Sequence, residues 1–95
     1  MKLTKQEFTG RYDGKLDDLS IEKSSKDGND IFTIVTYKRK STGKTFAIST
    51  LSNPNAEGLY QTRTVKFYDR NGTTQLDTVV YTLTYDADGN LVSEV

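Results

Sequence analysis

The chain has 95 residues, 13 basic and 13 acidic side chains, and no Cys, His or Trp. One domain is the expected organisation, spanning residues 1–95, with room for one thin core. The missing His and Cys exclude zinc sites, thiol redox chemistry, cysteine proteases and a Ser-His-Asp triad.

The opening segment carries a helix-start signature. Thr4 and Glu7 have capping-box spacing, and Leu3 and Phe8 have hydrophobic-staple spacing. Gly10 can stop the turn, so one short helix is expected over Lys5 to Thr9. Leu3 and Phe8 would dock it on the core.

Strands and turns follow, rich in Thr, Val, Ile, Tyr and Phe. Gly10 to Leu16 reads as the first strand, with Tyr12 and Leu16 on one face. Leu19 to Ser24 reads as the second, with Leu19 and Ile21 inward. A turn over Lys26 to Asp30 leads into Ile31 to Arg39, apolar on both faces at its start and expected to be central. Ser41 to Lys44 closes a hairpin into Thr45 to Leu51, where alternation sets Phe46 and Ile48 against Thr45 and Ser49.

Ser52 to Gly58 reads as a polar loop holding Pro54. Leu59 to Asp69 is the fifth strand, with Val65 and Phe67 inward and Lys66 outward. Arg70-Asn71-Gly72 is a hairpin signal. The sixth strand, Thr73 to Tyr85, presents Val79, Tyr81, Leu83 and Tyr85 as one stripe. Asp86 to Gly89 turns into a last strand, Asn90 to Val95. The expected fold is all-β: an antiparallel meander of about seven strands, a barrel preferred over a sandwich, with one short N-terminal helix. The sixth strand outruns both neighbours, so it overhangs, bends at a bulge or pairs with another chain. A homodimer through the Val79-Val80 overhang is the favoured outcome.

Several constellations invite chemical readings. Asp86, Asp88 and Asn90 alternate like cation ligands, but Leu91 sits where an EF-hand loop needs glycine, so a turn is favoured. The stretch from Tyr85 to Leu91 also resembles a YD-repeat unit of bacterial surface and toxin proteins. Asp17 and Asp18 are adjacent and point to opposite faces of a strand, which is poor geometry for a glycosidase pair. No nucleophile-plus-base arrangement is present, so no enzyme is expected.

Charge is unevenly spread. The first 50 residues carry ten bases and seven acids, the rest three and six. Tyr37, Lys38, Arg39, Lys40 and Lys44, with Arg63, Lys66, Tyr68 and Arg70, mimic a stacking and electrostatic surface for single strands. The neutral total argues against nucleic acid, and Lys38, Arg39, Lys40 and Lys44 are expected to project into solvent at a hairpin tip.

No apolar run reaches the roughly 18 residues of a membrane span. The N-terminus lacks a signal-peptide core, which makes the cytoplasm the default and leaves a secreted domain with its signal removed as the alternative. The aromatic residues Tyr12, Phe46, Phe67, Tyr81 and Tyr85 are the candidate ligand-binding set, with core packing as their other reading.

A short helical turn followed by Phe8-Thr9-Gly10-Arg11-Tyr12 resembles the opening of a lipocalin or calycin barrel. Gly10 matches the family's Gly-x-Trp, with Tyr12 replacing Trp. The resemblance implies a carrier of a small apolar ligand, with no cofactor and no catalysis. A bacterial or phage protein-interaction module that binds through a sheet edge or a hairpin tip is the alternative.

Overall fold

The structure is a computed structural model that describes residues 18–95. The expected helix at Lys5, the expected strand from Gly10, and Leu3, Phe8 and Tyr12 lie outside the described residues. Six strands follow: β1 (Leu19–Lys26), β2 (Phe32–Arg39), β3 (Thr45–Pro54), β4 (Tyr60–Tyr68), β5 (Gln75–Tyr85) and β6 (Leu91–Glu94). Each pairs antiparallel with the next, giving one sheet in the order β1-β2-β3-β4-β5-β6. Among the described residues β1 and β6 do not pair, so the sheet is open, and it contains no helix long and apolar enough to cross a membrane.

Alternation sorts the side chains onto two faces. Tyr37, Ala47 and Phe67 lie opposite one another across β2, β3 and β4, and Val35, Ser49, Val65 and Val79 form the next row. Those rows hold Tyr37, Ala47, Val65 and Phe67 of the buried cluster, whose fifth member is Phe46. The other face is a field of hydroxyls, with Thr36, Thr50, Thr62, Thr64, Thr78 and Thr82 around Ile34, Ile48 and Val80.

Phe46 shows how a bulge overrides simple alternation. The register shifts between Tyr37 and Lys38, where two residues of β3 oppose one of β2. Phe46 and Ala47 therefore both reach the core, with Ser49, while Ile48 lies half-buried on the hydroxyl face. The expected grouping of Phe46 with Ile48 is corrected by that one extra residue. The rings of Phe46 and Phe67 meet edge to face, 5.7 Å apart and inclined 72°.

Other boundaries also move. The expected loop around Pro54 gives way to strand, because β3 runs on to Pro54, which lies opposite Tyr60. Proline is tolerated there because the ladder ends with it. Ile21 is exposed rather than inward, since β1 lies at the margin of the described sheet and has a neighbour on one side only.

The excess length of β5 is resolved by sharing. Gln75 through Thr82 pair with β4, and Leu83 through Tyr85 pair with β6. Thr82 also exchanges backbone hydrogen bonds with Val95, at 2.7 and 3.1 Å. A four-residue strand is a weak element, and an ion pair ties it down. Arg63 is fully buried on the core face of β4, and its Nε donates to Glu94 Oε1 of β6 at 2.8 Å. The same guanidinium lies 4.7 Å from the centre of the Tyr81 ring on the intervening strand.

Two expected outcomes test this packing. Phe67→Ala lowers unfolding free energy by about 3–5 kcal/mol in denaturant titration, as loss of a core ring does. Glu94→Ala strands the buried Arg63 charge and lowers it by about 3–5 kcal/mol, and a paired Arg63→Met, Glu94→Gln variant recovers part of that loss.

Candidate functional site

In an antiparallel meander alternate hairpins fall at the same end of the sheet. The β1–β2, β3–β4 and β5–β6 turns therefore lie side by side, and they share one construction. Each begins with an Asx residue whose side-chain oxygen accepts two amides, two and four residues on. Asp27 Oδ1 accepts from Asn29 at 2.8 Å and Ile31 at 3.0 Å. Asn55 Oδ1 accepts from Glu57 at 2.9 Å and Leu59 at 3.0 Å. Asp86 Oδ1 accepts from Asp88 at 3.0 Å and Asn90 at 2.9 Å.

The fourth residue of each turn has positive φ: Asp30 at 64°, Gly58 at 81° and Gly89 at 83°. Glycine suits that conformation, and Asp is among the few side chains that tolerate it. The stretch from Tyr85 to Leu91 is thus one turn of this design at a strand end.

Side chains lock the three turns together. The Tyr60 hydroxyl donates to Asp27 Oδ2, and the Tyr85 hydroxyl donates to the Tyr60 carbonyl. The Asp27 carboxyl sits below its ordinary range because of the Tyr60 hydroxyl first, then the amides of Ile31 and Asn29. The Tyr60 phenol is raised in return. Asp86 is lowered chiefly by the Asn90 amide, and burial raises the Tyr85 phenol.

An open groove of about 340 Å³ runs between the β3–β4 and β5–β6 turns. Leu59, Leu83 and Tyr85 give it apolar surface, and Asn55, Glu57, Gln61 and Asp86 give it polar groups. Phe32 and Leu91, the first residues of β2 and β6, and Ile31 just before β2 are each exposed where the chain leaves two of the turns. Asp27, Asp30, Glu57, Asp86 and Asp88 outnumber Lys26, which pairs with Asp30, and make this end acidic, whereas the opposite end mixes Lys40, Lys44 and Arg70 with Asp18 and Asp69.

The aromatic set named from sequence is divided. Phe46 and Phe67 are core, with Tyr81 packed against their cluster. Tyr85 lines the groove at the turn end. Tyr12 is outside the described residues. The basic set is divided too. Tyr37 is buried, and Lys38 pairs with Glu22 at 2.8 Å. The Arg39 guanidinium lies 5.2 Å from the Phe46 ring, so of the expected tip only Lys40 and Lys44 stand in solvent. Lys38 and Arg39 belong to β2, and its pairing holds them against neighbours. Arg63 faces the core while Lys66 lies on the other face.

Among the described residues no three His, Cys, Asp or Glu side chains are grouped to hold a metal ion. The buried ion pair escaped the sequence reading, although Arg63 shares the inward parity of Val65 and Phe67.

Acid should weaken these turns. Asp27, Asp69 and Asp86 have lowered folded-state values against an ordinary 3.8. At Asp69 burial, the largest influence, pushes upward and is outweighed by the Thr73 and Thr74 amides. A lowered carboxylate contributes stability above its unfolded value and loses it as pH falls through the lower folded value. Melting temperature therefore falls with acidification below about pH 4. Asp86→Asn leaves the neutral-pH melting temperature nearly unchanged, because Asn55 builds the same turn, and makes the acid-side fall shallower.

Compared with protein-family models, with curated proteins and with solved structures, the chain has no match.

Proposed function

We propose that this domain is a non-catalytic protein-interaction module that presents the three-turn end of its sheet to a basic partner. The observation that carries the reading is the alignment of three turns of one design. They are joined through Tyr60 and Tyr85, and a groove lies between two of them. Loops held by their own side chains bind with little ordering cost. Five carboxylates at one end attract a basic surface and orient it. Ile31, Phe32 and Leu91 offer apolar contact beside them.

The carrier reading implied by the calycin resemblance is the second proposal, favoured by the place of Tyr85 in the groove. A seventh strand over residues 10–16 and closure into a barrel belong to it. The edge-to-face packing of Phe46 on Phe67 supports core duty for those two rings.

The test is an NMR titration with a peptide of alternating lysine and leucine. Amide shifts confined to residues 26–31, 55–59 and 86–91, weakening as salt rises, are expected. Glu57→Gln combined with Asp88→Asn reduces affinity by about tenfold at low salt. Shifts centred elsewhere, or none at millimolar peptide, overturn the reading.

A further inference from the structure

We propose that Asp77 is an edge guard, whose carboxylate holds the amide through which a second copy of the chain would otherwise pair with β5. The proposal starts from the half of β5 that β6 leaves open. Thr82 directs its backbone N–H and C=O to Val95, and backbone direction alternates along a strand. Thr78 and Val80 therefore present their backbone groups to the same side, where no described strand lies. Asp77, Val79 and Tyr81 direct theirs to β4.

That open margin is attractive to another strand. Leu76 is 67% exposed, Val80 60% and Val95 79%. Thr78 to Thr82 is β-branched and aromatic throughout, and β5 contains no Lys or Pro, two residues that commonly blunt sheet edges. Asp77 is the single charge in the eleven residues of β5.

Asp77 Oδ1 accepts the Thr78 amide at 2.8 Å. The side-chain amide of Gln75 donates to the Thr78 hydroxyl, and a register shift places Leu76 in a bulge just before Asp77. All three features converge on Thr78.

Symmetry explains why that amide matters. A second β5 entering antiparallel must stop short of Thr82, whose edge Val95 occupies. A two-fold axis at Thr78 satisfies this limit and sets Leu76 against Val80 of the second copy, twice. The neighbouring register centred on Asp77 sets carboxylate against carboxylate, which repels. In the favoured register Thr78 meets Thr78 of the second copy, and each amide must donate across the axis. One carboxylate per chain thus withholds both central hydrogen bonds. The homodimer expected through the Val79-Val80 stretch is the assembly this guard opposes.

Sedimentation of Asp77→Ala beside the unaltered chain tests the proposal. The unaltered chain is expected to remain a 10.7 kDa monomer at micromolar concentration, and Asp77→Ala to dimerise at least about tenfold more tightly. Adding Val80→Lys should return Asp77→Ala to monomer, and Asp77→Asn, which keeps an acceptor oxygen, should stay monomeric. A folded Asp77→Ala that remains monomeric, or a dimer indifferent to Val80→Lys, overturns the proposal. Hydrogen exchange on the unaltered chain decides the matter if Asp77→Ala does not fold. The Thr78 amide should exchange at least about tenfold more slowly than the Val80 amide on the same open edge, and equal rates overturn the guard.

Discussion

An oxygen of one Asx side chain, accepting two amides, is the constraint on which this sheet depends. It fixes the length of the turn, and turn length fixes the register of the two strands it joins. A slip of one residue would carry every side chain to the opposite face. Asp27, Asn55 and Asp86 perform this at one end, and at the other Asp69 accepts the amides of Thr73 and Thr74 at 3.1 and 3.3 Å. The core rows of Tyr37, Ala47 and Phe67 follow from correct register across three strands. Where register shifts at Phe46 the extra residue is placed in the core, whereas the shift in β5 leaves its extra residue, Leu76, in solvent.

The same devices that build the fold also organise its surface. Alternate hairpins of the meander fall at the same end, so Asp27 and Asp86, which open two of the three turns there, stand side by side with Asp30, Glu57 and Asp88. The carboxylates of Asp27 and Asp86 serve local amides and simultaneously add to the charge of that end. Lys40, Lys44 and Arg70 share the other end with Asp18 and Asp69, so the acidic end of a chain with no net charge is set against a mixed one. The hydroxyl face between them is even in character, as an antiparallel sheet with one solvated face requires.

Length mismatch shapes the margins. β6 is four residues long and needs the Arg63–Glu94 pair to reach across β5 to β4. That pair is buried, so its contribution depends on both partners remaining in place. Among the described residues the remainder of β5 keeps one open side, and a single carboxylate there carries the burden that lysines and prolines often share. The binding reading and the edge guard concern different regions, the turn end and the β5 margin.

Strand identity was legible in the residues themselves. Val65, Lys66 and Phe67 alternate cleanly, and the stripe of Val79, Tyr81 and Leu83 was read correctly, because period-two patterning is a local property. Turns at Asp27, Asp69 and Asp86 were legible for the same reason, since an Asx oxygen reaches amides only a few residues away. Bulges were not, because an extra residue is defined only against a partner strand distant in sequence. Sequence groups Arg63 with Lys66, Tyr68 and Arg70 as a candidate strand-binding surface, yet it is inward, and its neutralising partner, Glu94, lies 31 residues away and meets it only across β5. The groove and the open edge were likewise settled by tertiary structure alone. Both arise where strands of unequal length lie side by side, and pairing partners, unlike alternation, are not written in any single segment.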